Sequence, residues 1–148
     1  MASHLRRQIR EGIASAIGAL ATTGPRVFQS RVYPLETADL PGILIYTQGE
    51  TSEATTLGAP RIYQRTARVS VIPVAQATAD LDDVLDGICK EVEVALAMPN
   101  GSLPMIKSIT LTATDIEFAG NASKPTGQAA MTYEVVYMAA ENAPDVAY

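Results

Sequence analysis

Residues 28–47 read FQSRVYPLETADLPGILIYT. The pattern predicts two strands joined by a turn: an apolar and aromatic run, a polar turn over residues 34–39, then Leu40-Pro41 leading into Gly42-Ile43-Leu44-Ile45-Tyr46. Pro41 has no N–H and holds Leu40 extended, so the chain should enter the second strand at a fixed angle. Ile43 to Tyr46 form an unbroken apolar run, which predicts a central strand covered on both faces. The other elements then read as cover for that strand, or as loops hung from it.

Before this stretch, Leu5, Ile9, Ile13, Ala16, Ile17 and Leu20 fall on one stripe of a helix over residues 5–20. Ser3 is its expected N-cap and Gly24-Pro25 its stop. Gly12 and Gly18 would each weaken it by roughly 1 kcal/mol unless they permit close packing. Strands are expected over residues 26–33 and 42–48. After them, QGETSEATTLGAP (48–60) is polar and without period, which predicts a long loop. Loops of that length are usually functional or disordered.

Residues 61–73 alternate as a half-exposed strand. A second helix follows, capped by Thr78, with Asp80, Asp82 and Asp83 at its positive end and Leu81, Leu85, Ile88, Val92 and Leu96 as its buried stripe. Pro99-Asn100-Gly101 should end it. A fourth strand over 105–118 changes apolar parity near Thr114 or Asp115, which predicts a bulge. The segment 119–127, AGNASKPTG, reads as a hairpin tip, and 128–139 as the closing strand, with Met131, Tyr133, Val135 and Tyr137 on one face. The tail after Glu141 has no period and should fray. The order α-β-β-β-α-β-β predicts an α+β domain of two layers. Its five-stranded, mostly antiparallel or mixed sheet would carry both helices on one face. One link, across the second helix, can place strands parallel.

A chain of 148 residues is long enough for one domain with a real core, and 47% hydrophobic with 18% charged residues is an ordinary globular balance. Net charge −5 argues against gripping a phosphate backbone, which needs clustered cations. The single Cys89 excludes an intramolecular disulfide and a multi-cysteine zinc site, and its place beside a buried stripe reads as a structural thiol. No apolar run approaches the roughly 20 residues of a membrane helix, and the first residues do not read as a secretory signal. These features fit a reducing cytoplasm.

The sequence offers little chemistry. His4, the one histidine, sits at a helix start where no third group would hold it as a catalytic base. Asp80, Asp82, Asp83 and Asp86 lack the spacing of a calcium loop and read as a solvated helix start. AGNASKPTG has no phosphate-loop spacing. No catalytic residue, metal ligand or cofactor is therefore expected, and the reading is a structural or binding protein. The two polar loops, carrying Glu50, Glu53, Arg61 and Lys124, suit contacts with another subunit. Arg61, Arg65 and Arg68 read as a basic row on an exposed strand face, able to pair with Asp39, Glu50 or Glu53 of a neighbour. The plainer alternative is intrachain or solvated charges, each worth less than about 1 kcal/mol.

In order along the chain, the helix stripe 5–20, Val27-Phe28 to Val32, and Ala38-Asp39-Leu40-Pro41 before strand 42–47 resemble the lambda-type phage minor tail protein U family. Gly49-Glu50, Val69-Ser70-Val71-Ile72-Pro73-Val74-Ala75, Ala79-Asp80-Leu81-Asp82 and Met131-Thr132-Tyr133-Glu134-Val135-Val136-Tyr137 continue the likeness. The resemblance implies a tail terminator: a ring, commonly a hexamer, that caps the tail tube, stops its polymerisation and offers a surface to the head. It implies as partners the chain itself, the tail tube protein and a head–tail connector or completion protein, with DNA only passing through the lumen. The location implied is the head-proximal end of the virion tail, after assembly in the host cytoplasm. Six copies would put about −30 on the ring, and like charge disfavours sticking to DNA. Two readings from other classes stand beside it: a small-ligand-binding or regulatory α+β domain, and an enzyme subunit completed by a partner.

Overall fold

A computed structural model describes residues 2–29, 39–77, 79–97, 103–119 and 125–148. Its elements are α1 (Leu5–Ala16), β1 (Val27–Phe28), β2 (Gly42–Ala54), β3 (Ile62–Gln76), α2 (Leu81–Leu96), β4 (Ser108–Ala119) and β5 (Thr126–Ala140). They build the expected α+β architecture on one five-stranded sheet in the order β1-β2-β3-β5-β4. Every neighbouring pair is antiparallel except β1 and β2, which run parallel through Val27–Ile43 and Phe28–Leu44. The parallel pairing of neighbours lies at the β1 edge, and the link through α2 joins β3 and β4, which run parallel to each other, as expected, with β5 between them.

Sheet register sorts the side chains. Ile43 and Ile45 of β2, Ala67, Val69, Val71 and Ala75 of β3, and alternate residues 129–139 of β5 share one face and one core cluster. Leu5, Ile9 and Ile13 of α1 and Leu81, Leu85, Ile88, Val92 and Leu96 of α2 pack into that cluster, so both helices lie on this face. The centre of the sheet is β3, not β2, because β3 is held between β2 and β5. It is also the strand buried on both faces, without a break from Val69 to Ala75. Pro73 sits inside it, and the recorded pairing with β5 skips from Val71 to Val74 around the position that lacks an N–H.

Several boundaries move. His4, not Ser3, caps α1: its Nδ1 accepts the Arg6 N–H at 3.1 Å. The helix stops at Ala16, near Gly18, where a Cβ would stand 3.0 Å from the Ala14 carbonyl. Gly12 does serve close packing, since a Cβ there would meet Leu103 Cδ2 at 2.2 Å. The residue before α2 is Asp80, in the left-handed conformation at φ 56° with no side-chain capping bond. The expected cap Thr78 and the expected stop at 99–101 lie outside the described residues. The parity change in β4 falls between Leu111 and Ala113, slightly before the predicted place.

Two larger differences bear on function. Most of the expected loop 48–60 is strand: β2 and β3 stay paired out to Ala54–Tyr63, leaving only a short turn at the tip. Residues 51–61 are exposed throughout, so the hairpin end forms an arm that projects beyond the core. Its polar sequence reflects exposure of both faces, not want of structure. The tail does not fray either. Pro144 O accepts from Leu5 N at 2.9 Å, Asp145 O accepts from Gln8 Nε2 at 2.9 Å, and Tyr148 N donates to Met138 O at 2.9 Å. The β4 ladder ends at Ser108–Val136, so Met138 would otherwise leave a carbonyl unpaired on that side.

Candidate interaction surfaces and the Glu50 cluster

The residues expected to meet a neighbour divide according to strand parity. A register shift between Thr47 and Gly49 leaves Gln48 as an extra residue in β2. That bulge reverses the facing of everything after it, turning Glu50 inward on the helix side opposite Ala67. There Glu50 Oε1 accepts from Arg6 Nη1 at 2.7 Å and from Arg65 Nη1 at 3.5 Å, while Oε2 accepts the Tyr137 hydroxyl. The Glu50 side chain is 8% exposed and that of Arg65 12%. Arg65 also lies over the Tyr63 ring, 5.5 Å from its centroid. Burial, and then the hydrogen bond to Glu50, pushes the Tyr137 hydroxyl well above the usual tyrosine range.

Arg65 and Glu50 therefore meet within one chain. The basic row does not exist as one face, because positions 65 and 68 differ by an odd number and point to opposite sides of β3. Arg68 is exposed on the second face, beside Gly49, with its Nη2 2.9 Å from where a Cβ would stand. Glu53 is exposed on that same face, opposite Gln64, four residues or about 13 Å along the strand from Arg68. Arg61 precedes β3 and reaches Glu141 at 3.8 Å, with Tyr63 donating to the same carboxylate at 3.4 Å. Asp39 is half-buried ahead of the cis Leu40–Pro41 bond. Lys124 lies outside the described residues.

His4 stands close to the Glu50 cluster. Burial first, and then Arg6, lowers its pKa below the usual histidine value. Cys89 is buried, and loss of hydration raises its thiol to about 11. Among the described residues no group of three His, Cys, Asp or Glu side chains could hold a metal.

Three surface features were not legible in sequence. Leu57, at the tip of the arm, is fully exposed. Ile116 and Phe118 are half-exposed on β4, the outer strand beside β5. A groove of about 310 Å³ runs between the end of α2 and β4, lined by Glu93, Leu96, Ala97, Ile109, Thr110, Leu111 and Tyr133. At its base the Tyr133 hydroxyl is buried with no hydrogen-bond partner among the described residues, and burial raises its pKa strongly. No family model and no curated protein matches the chain.

Proposed function

We propose that this chain is the tail terminator of a long-tailed phage, a ring-forming protein that caps the tail tube and presents the head-joining face. The observation that carries the reading is the ordered resemblance to the lambda-type minor tail protein U family, from Leu5 through to Tyr137. The projecting β2–β3 arm and the open outer strand β4 support it. They are features through which a subunit can reach, and be reached by, its neighbour. The function is geometric. Partners are further copies of the chain in a hexamer, the tail tube protein below and the head–tail connector above, and DNA crosses an acidic lumen without being gripped.

Native mass spectrometry over a wide concentration range, with negative-stain imaging, tests this reading. Closed rings of one stoichiometry that cap purified tail tubes are expected. A monomer at every concentration that also leaves tubes uncapped would overturn it in favour of a ligand-binding domain. That domain would instead be recognised by a melting point raised by a small molecule.

A further inference from the structure

The arm and the groove are complementary, and the fold keeps them apart within one chain. The arm tip is closed by three bonds: Thr55 N and Thr55 Oγ1 both donate to Ile62 O, at 2.8 and 2.9 Å, and Ile62 N donates to Thr56 Oγ1 at 2.9 Å. These bonds hold Leu57 outward on a preformed turn, so little order remains to be gained on docking. No hydrogen bond among the described residues uses the carbonyls of Leu57 or Gly58. The groove offers the converse. Leu96, Ile109 and Leu111 make apolar walls, and the buried Tyr133 hydroxyl lacks an acceptor. An aliphatic cavity of about 150 Å³ already admits a benzene-sized group, so 310 Å³ has room for a leucine side chain and its flanking backbone.

Charge agrees. Glu93 is the one charged residue among the described residues that line the groove, and Arg61 is the one charged residue of segment 54–61. The Arg61 backbone N–H holds Glu141 Oε1 at 3.0 Å, while its guanidinium lies 3.8 Å from that carboxylate and the side chain is 52% exposed. Distance then decides whose tip enters. Tyr133 lies opposite Val69, seven residues along β3 from Ile62 at the base of the tip. At about 3.3 Å per residue the separation is roughly 23 Å, so a chain cannot fill its own groove.

We propose that Leu57 of one copy seats in the α2–β4 groove of a second copy, with a tip carbonyl accepting from Tyr133 and Arg61 facing Glu93. This rests on the self-assembly reading and specifies its contact. Tip and groove lie on different flanks of the sheet, β2–β3 against β5–β4, so the contact is heterologous. Such contacts repeat head to tail and either close into rings or run on as filaments.

The test uses full-length chains. Leu57→Ser alters a fully exposed side chain, so it should leave folding intact while raising the concentration at half-assembly about tenfold or more. Tyr133→Phe should weaken assembly by roughly threefold to tenfold without lowering the melting point of the isolated chain, because it removes a hydroxyl that only a neighbour satisfies. Mixing Leu57→Cys chains with Leu111→Cys chains should give a mixed disulfide that neither variant forms alone. If wild-type rings form while Leu57→Ser assembles equally well and no 57–111 disulfide appears, the contact is overturned and the ring reading survives. A mixed disulfide to Ile116→Cys in place of Leu111→Cys would also overturn it. A wild-type monomer at every concentration, with no disulfide, would overturn the contact, and with tubes left uncapped it would overturn both.

Discussion

Glu50 is an acceptor shared by Arg6, Arg65 and Tyr137, so removing its charge leaves Arg65 enclosed beside no anion. Glu50→Gln should lower the unfolding free energy by about 3 kcal/mol, read as an earlier urea midpoint at unchanged slope. Arg65→Glu would set a second carboxylate against the first in the same enclosed site, so it should unfold the chain. Arg68→Glu, on the exposed second face, is the charge reversal that tests assembly without that cost. His4 makes a separate forecast. Its Nδ1 can accept the Arg6 N–H only while the imidazole is neutral, and Arg6 and Arg65 oppose the cation while Glu50 and Asp145 favour it. With its folded pKa depressed, the stabilisation is fully present above the unfolded value of about 6.5 and is lost as pH falls through the lower folded value. His4→Asn caps independently of that proton, so the variant should gain on wild type in melts run below pH 6.5 and match it near pH 8.

At the level of elements, the extra residue Gln48 does more than bend β2. Inserting one further residue after it would place Gly49 opposite Ala67 and Glu50 opposite Thr66, turning Gly49 inward and Glu50 outward and separating Glu50 from Arg6, Arg65 and Tyr137 in one step. The expected loss is at least that of Glu50→Gln, checked by the same urea titration. Removing residues 142–148 takes away the bonds to Leu5, Gln8 and Met138, and at about 1 kcal/mol each should cost about 3 kcal/mol in stability. Those two elements also mark where sequence reading stops. The stripe Leu81, Leu85, Ile88, Val92 and Leu96 and the alternation Met131, Tyr133, Val135 and Tyr137 were legible because burial writes a period into the sequence. The outer half of β2 has two solvated faces and so carries no period, although its backbone stays paired with β3 as far as Ala54. The tail is held by main-chain carbonyls, which leave no trace in side-chain pattern. Bulge and groove depend on register between distant strands, and so the facing of Glu50 and the solitary Tyr133 hydroxyl could not be read in advance.

On the scale of the whole molecule, the acidic charge, the projecting arm and the open β4 strand are the features on which the proposed assembly rests. Buried Cys89 gives a control for such experiments. With its thiol raised to about 11, it should react slowly with a maleimide at pH 8 until denaturant exposes it, leaving engineered cysteines as the reporters. Rapid labelling of the native chain would place Cys89 outside the core.

The tie between Leu5 and Pro144 also bears on synthesis. The first helix leaves the ribosome well before the partner of its first amide, which lies 139 residues further along the chain (144 − 5). The middle strand β3 likewise waits for β5, which is translated after α2 and β4. Both segments must therefore be made before the domain can close, and pairing so distant in sequence is slow to form. Closure of this domain waits for the segment after β5, and a polypeptide cut at residue 141 keeps its central ladder but leaves the first amide of its first helix untied.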